Sequence, residues 1–150
     1  MKVETEIFGE IEVAEDKIIT FKEEILGFED YSQFTIVDGL EDAPFYWLQS
    51  IEEAELAFML VDPLQFVNDY EVVISDSFKA SIGIDDSTEQ DDIVVSTLVV
   101  VEDEDKIRTN LKAPIIINSA TKQAGQFVLR DDYPTRYYLL DEKQAEKALG

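Results

Sequence analysis

The chain has 150 residues, 34 acidic and 12 basic, for a formal net charge of −22, and it contains no cysteine and no histidine. Those absences exclude disulfides, thiolate nucleophiles, Cys/His zinc sites and a Ser-His-Asp triad, and leave carboxylate chemistry as the open enzymatic route. An apolar share of 45% with nine Phe, six Tyr and one Trp supports one packed domain over 1–150, while direct binding to nucleic acid would need clustered Lys and Arg.

The first residues, MKVETEIFGEIEV, carry acids where a signal peptide would be basic and then apolar. No run approaches the ~20 apolar residues of a membrane-spanning helix. A cytoplasmic protein without a membrane partner is therefore expected. The charge is uneven: residues 1–100 hold 25 acids and 4 bases, and residues 101–150 hold 9 and 8. An acidic surface on the first two thirds would speed encounter with basic partners.

In chain order, Val3, Thr5 and Ile7 alternate with polar residues, Gly9-Glu10 marks a turn, and Ile11 and Val13 continue the alternation, which reads as a hairpin. Ile18, Ile19 and Phe21 form a third strand, so a tight antiparallel meander is expected. Residues 23–31 break the pattern, with Gly27 at a bend. Strands resume at 33–37, 45–50 and 56–61, the last ended by Pro63, and 70–75 is a further strand. Ser75 caps a short helix running to about Ile82.

The run 93–101 (IVVSTLVVV) is nearly all apolar and β-branched, which predicts a strand covered on both faces. Residues 85–92 and 102–106 read as acidic loops, and 115–118 and 123–130 as strands. Asp141-Glu142 before KQAEKAL predicts a C-terminal helix. The fold class is mainly all-β: one antiparallel barrel-like domain with short helical segments.

Few constellations carry chemistry. The acidic loop 85–92 lacks EF-hand spacing and its sixth-position glycine, no serine stands in a G-x-S-x-G elbow, and no glycine-rich phosphate loop occurs. No catalytic, cofactor or metal residue is assigned. A carboxylate-based hydrolase or sugar-binding barrel stays open as an alternative, needing two acids converging in a cleft. An inhibitor that mimics nucleic acid is a third reading. The segment 44–48 (PFYWL) is the better lead, because aromatics concentrate at binding hot spots. Alternation turns Phe45 and Trp47 to the core and Tyr46 to the surface. Around Tyr46 the neighbouring acids Glu41, Asp42, Glu52, Glu53 and Glu55 would form a negative ring, and Asp85 and Asp86 extend the acidic surface assigned to partners.

Specific strings go further than composition. LGFEDY (26–31), FYWLQS (45–50), AFMLVDP (57–63), Tyr70, TNLKAPIIIN (109–118), Ala124, Gln126, Tyr133 and Arg136 run in order over most of the chain. Together they resemble the FliW family of flagellar assembly factors; Leu26 departs from the proline expected there. The resemblance implies a non-enzymatic, cytoplasmic, barrel-like protein without cofactor. It would bind flagellin before export and, when free, bind and antagonise, allosterically, the RNA-binding regulator CsrA. Within the strings, Asn110 and Pro114 read as turn chemistry, Leu111 and Ile115–Ile117 as core, and Gln49 and Gln126 as bonds to buried backbone first and contacts to a partner second.

Overall fold

The computed structural model describes residues 1–38, 44–103 and 106–140. Glu41, Asp42 and the expected C-terminal helix lie outside the described residues. The strands are β1 (Lys2–Thr5), β2 (Gly9–Glu12), β3 (Ile19–Glu23), β4 (Gln33–Asp38), β5 (Phe45–Ser50), β6 (Ala57–Val61), β7 (Ile93–Asp103), β8 (Lys106–Thr109), β9 (Ile115–Asn118), β10 (Gln123–Gln126) and β11 (Tyr137–Leu140). Among the described residues one α-helix, α1 (Asp76–Ser81), forms, capped by Ser75, whose Oγ accepts the Phe78 N–H at 3.2 Å.

β7 organises the sheet because it changes partner along its length. Its first residues pair with β9 (Ile93 opposite Asn118, Ser96 opposite Ile115), and its middle pairs with β6 (Thr97 opposite Val61). Its last part pairs with β8 (Val101 opposite Ile107). The pairings β7–β6–β5–β4–β3–β10–β9 thus return to β7, while β8 and β11 extend from it outside that circuit. Burial follows from this partner exchange. Ser96 and Thr97, at the crossing, are fully buried, but Val94, Val100 and Val101 are 39%, 42% and 50% exposed. The expectation that this apolar run is covered on both faces is corrected. The strand that does bury both faces is β9: Ile115 and Ile117 pack into the cluster of Ile19, Phe34, Leu48 and Leu60, and Ile116 packs against Phe78 and Ile82 under α1.

Three other expectations change. The first hairpin forms, with Val3 opposite Ile11, but β1 and β2 make a separate two-stranded sheet. A 3-10 turn at Glu15–Lys17 leads the chain away, and β3 gives its two edges to β4 and β10 in place of β2, so there is no three-strand meander. The β3–β10 pair is parallel, the one exception to an antiparallel ladder among the described strands. It joins segments about a hundred residues apart that no hairpin connects. Residues 70–75 alternate as expected, with Tyr70, Val72 and Ile74 on core clusters and Val73 out, but they are no strand. The Tyr70 hydroxyl donates to the Leu111 carbonyl at 2.6 Å, and the Glu71 N–H donates to the Tyr133 hydroxyl at 2.9 Å. Side chains hold this segment, not a ladder.

Gly125 is where α1 meets the sheet. It pairs with Glu23 across a register shift in the parallel ladder. A Cβ at this position would lie 2.6 Å from Glu23 Cβ and 2.8 Å from Phe78 Cζ. Gly125→Ala is therefore expected to destabilise the protein by about 1–3 kcal/mol through overpacking, read as a lower urea midpoint with unchanged slope. Adding Phe78→Leu should restore part of the loss, and an alanine variant as stable as the parent would refute this packing.

Candidate partner-binding cleft

Tyr46 sits near the start of β5, and alternation decides which way it points. It packs against the cluster containing Leu48, while Phe45 belongs to a second cluster with Val61, Val99, Ile107 and Leu139 on the other side of the sheet. Trp47 meets Phe8 of the first hairpin edge-on, ring centroids 5.9 Å apart. Phe45 is buried as expected, while Tyr46 and Trp47 are both half-buried, so the two faces do not divide into a surface Tyr46 and a core Trp47. The sheet is covered on both sides here, so period-two alternation could not say which face was the wetter. The Tyr46 hydroxyl is hydrogen-bonded to the buried Ser96 hydroxyl. Burial, and next the Asp62 carboxylate, push its pKa up from 10.0 to about 12.

That shift gives a testable sign. The folded state keeps the Tyr46 proton above the pH at which an unfolded tyrosine loses it. The associated stability is full below pH 10.0 and is lost as pH rises through about 12. Chemical denaturation between pH 9 and about pH 12 should show this decline, and Tyr46→Phe should make it shallower. An equally steep decline in the variant would remove Tyr46 as its source.

Beside Tyr46 opens a cleft of about 980 Å3 between the end of β4, the start of β5, the 62–65 turn and the segment leading into β7. Its described lining carries three carboxylates, Asp38, Asp62 and Asp91, and no lysine or arginine. Asp62 is fixed: its Oδ1 accepts the Leu64 N–H at 3.0 Å and caps the 3-10 turn Pro63–Gln65. Exposed apolar side chains share the cleft, Leu64 at 58% and Ile36 and Val94 at just over a third. An apolar floor with an acidic rim suits a partner surface that is apolar at its centre and basic at its edge.

The other expected residues are placed apart. Four residue steps along β5, roughly 13 Å of strand, separate Tyr46 from Ser50 and the turn that carries Glu52, Glu53 and Glu55. Glu52 Oε1 accepts the Ser32 and Gln33 N–H groups, each at 2.8 Å, and so pins the entry to β4. Glu55 is exposed and Glu53 half-buried. Asp85 and Asp86 are exposed on the link from α1 to β7. Asp85 Oδ1 accepts the Ser87 hydroxyl at 2.5 Å and its N–H at 2.9 Å, and these bonds, the hydroxyl first, hold its carboxyl below the usual range. Among the described residues no three Asp or Glu side chains gather as a metal site. Sequence reading missed Asp38, Asp62, Asp91 and Leu64 as one surface; the Asp62-Pro63-Leu64 turn, with an apolar residue after the proline, was the available signal.

A family model described as "FliW protein" matches residues 2–139. The chain belongs to the FliW family. It is 41% identical over 149 residues to a protein described as flagellar assembly factor FliW from Ruminiclostridium cellulolyticum, covering 98% of this chain and 99% of that one. A protein of the same description from Natranaerobius thermophilus is 40% identical over 153 residues, covering 100% and 99%. A crystal structure of the flagellar assembly factor FliW superposes with a TM-score of 0.85 at 31% identity, covering 95% of this chain and 99% of that one. The FliW strings of this sequence hold the fold. Asn110 Oδ1 accepts the N–H groups of Lys112 and Ala113, and Asn118 Nδ2 donates to the Ile82 carbonyl. Gln126 bridges the Leu26 N–H and the Ala113 carbonyl. No helix among the described residues is long and apolar enough to cross a membrane.

Proposed function

We propose that this chain is a non-enzymatic cytoplasmic flagellar assembly factor that binds flagellin before its export. When free, it binds CsrA and antagonises its repression of flagellin translation. The observation that carries the reading is the cleft beside Tyr46, whose described charged residues are all carboxylates, on a FliW-family chain of net charge −22. An RNA-binding regulator must present basic surface to phosphates, so it meets such a rim with favourable long-range attraction. The exposed Ile36, Leu64 and Val94 offer the apolar contact that an amphipathic flagellin helix needs before assembly. Glu41 and Asp42, which lie outside the described residues, are kept among the partner-binding acids, with Glu53, Glu55, Asp85 and Asp86 acting as distant steering charges. The strand circuit closing through β7 and β9 supports the barrel-like reading. The hydrolase alternative gains nothing from Glu29 and Asp85, both held below the ordinary carboxyl range, opposite to the shift of a general acid.

The test is a calorimetric titration with CsrA, repeated after saturation with monomeric flagellin. CsrA binding abolished by flagellin is expected if free flagellin sets the free antagonist by mass action. Binding that survives places flagellin at a separate site and removes the exclusive switch. No complex with either protein refutes the reading. RNA added to the CsrA complex separates mechanisms: a ternary complex or faster RNA release marks allostery, and plain competition marks phosphate mimicry.

A further inference from the structure

The first hairpin, residues 1–13, stands apart from the rest of the fold. Its strands β1 and β2 pair with each other and with no strand of the main sheet. Among the described residues one hydrogen bond leaves it, from the Glu6 N–H to the Ala54 carbonyl at 2.9 Å. The Phe8 ring meets Trp47 edge-on. Val3 and Val13 are buried, yet neither joins the hydrophobic clusters of the main sheet. A two-stranded hairpin by itself is marginally stable, and here the register sets Glu4 directly opposite Glu10, a like-charge pair that weakens it further. Its own ion pairs, Met1–Glu12 at 3.7 Å and Lys2–Glu10 at 3.8 Å, are exposed and add little.

The chain just beyond the hairpin is fixed. Ala14 is extended (φ −72°, ψ 148°) and leads into the 3-10 turn Glu15–Lys17. The Lys17 carbonyl accepts the hydroxyl of the buried Thr35 on β4 at 3.0 Å. Rotation at Ala14 therefore moves the hairpin without disturbing β3 or β4. Ile11 and Val13 of the hairpin line a concavity of about 650 Å3 together with Ile36, Val37, Tyr46 and Val94. Ile36, Tyr46 and Val94 also line the acidic cleft, and Val37 stands opposite Trp47 in the β4–β5 ladder.

We propose that the hairpin is a flap: it swings off Trp47 about Ala14 while the rest of the fold stays intact, and its opening joins Val37 and Trp47 to the apolar floor of the acidic cleft. Burial of Val3, Val13 and Phe8 against the main sheet keeps the closed state dominant, and the single outgoing hydrogen bond and the Glu4–Glu10 repulsion keep opening well short of global unfolding in cost. A partner that presents an apolar face gains area in the open state alone, so its binding draws the equilibrium toward opening. This link rests on the reading of the cleft as a partner surface; the flap itself does not.

Amide hydrogen exchange on the full chain tests the flap. The Glu6 and Val13 N–H groups, bonded to the Ala54 and Met1 carbonyls, are expected to exchange roughly a hundredfold or more faster than the ladder amides of β5 and β9. Phe8→Ala, which removes the edge contact with Trp47, should speed them further and leave β9 unchanged. Hairpin amides that exchange no faster than β5 and β9 overturn the flap. The link to the partner is tested with Glu6→Cys plus Ala54→Cys, whose backbone bond holds the two Cα atoms within disulfide range. The parent has no cysteine, and Ala54 lies on the β5–β6 turn, at the far end of β5 from Tyr46, so the cross-link does not touch the cleft. The oxidised variant is expected to bind monomeric flagellin roughly tenfold or more weakly than the reduced one. Equal affinity in the two states overturns the link, and so, if the disulfide does not form, does a Phe8→Ala variant that opens faster without binding flagellin more tightly. A parent chain that binds no flagellin refutes the functional reading and the link with it, whereas the exchange rates decide the flap in either case.

Discussion

Gln49→Glu is expected to destabilise the protein by about 3 kcal/mol or more at pH 7, the cost of placing a charge among buried acceptors. Gln49 is fully buried in β5, and its amide nitrogen faces three carbonyls: Ser50 at 3.0 Å, Leu56 at 3.1 Å and Ala54 at 3.4 Å. Those carbonyls shape the β5–β6 turn, and the Ala54 carbonyl also receives the Glu6 N–H at 2.9 Å, tying the first hairpin to the turn. Its own Oε1 has no partner among the described residues, so the site is built for the donor end of the amide. A carboxylate of the same shape brings a negative oxygen where a donor stood. Its folded-state pKa must rise above that of an unfolded glutamate, so the folded variant binds the extra proton. Sign follows from linkage: the stability tied to that proton is present below the unfolded pKa of about 4.3 and is lost as pH rises through the folded value. Urea titrations of variant and parent at pH 4 and pH 7 should give a smaller difference in acid. An equal difference at both pH values would mean that lost donors, not charge, set the cost, and Gln49→Leu measures that part alone.

Local chemistry carried much of the fold. The Ser75 cap, the Gly27 bend (φ +89°) and the strands at 33–38, 45–50 and 57–61 follow from residue type and spacing. What failed needed knowledge of partners. The run at 93–101 is as apolar as a doubly covered strand, yet its ends are wet because β7 hands its edge from β9 to β6 and β8. The alternation of 70–75 is correct, but alternation describes packing and says nothing of whether a neighbouring ladder exists. β8 and β11 escaped notice since Lys106, Arg108 and Tyr138 dilute four-residue segments whose buried members, Ile107 and Leu139, matter only once paired. Gln49, Asn110 and Gln126, read from the FliW strings as backbone or turn chemistry, do serve as architecture. The acidic cleft was least visible, because Asp38, Asp62 and Asp91 come from three separate connections. Net charge announced an acidic surface without saying which acids share it.

That gap makes the cleft a sharp test of how charge acts here. Asp38→Lys with Asp91→Lys is expected to weaken CsrA binding by on the order of a hundredfold at low salt, since like charges juxtaposed across an interface are strongly unfavourable. Asp62 is best left intact because it caps the Leu64 turn. The matched control is Glu53→Lys with Glu55→Lys, which changes net charge equally on the β5–β6 turn, at the far end of β5 from Tyr46. If charge acts only by steering, both double variants slow association alike, and both losses vanish near 1 M salt, where screening is about 3 Å. If the cleft is the contact, its variant loses more, chiefly through faster dissociation, and keeps a deficit in high salt because a covered pair is poorly screened. Surface plasmon resonance at two ionic strengths separates these cases. Equal losses that salt erases would remove the cleft as the docking surface and leave the acidic character of the whole chain as the cause of attraction. A loss confined to the cleft variant would tie partner choice to the same Asp62–Tyr46–Ser96 corner that raises the Tyr46 pKa. Flagellin titrated against the same variants then reports whether the apolar floor serves both partners: a shared floor predicts that Leu64→Asp weakens flagellin as well, and separate sites predict that it does not.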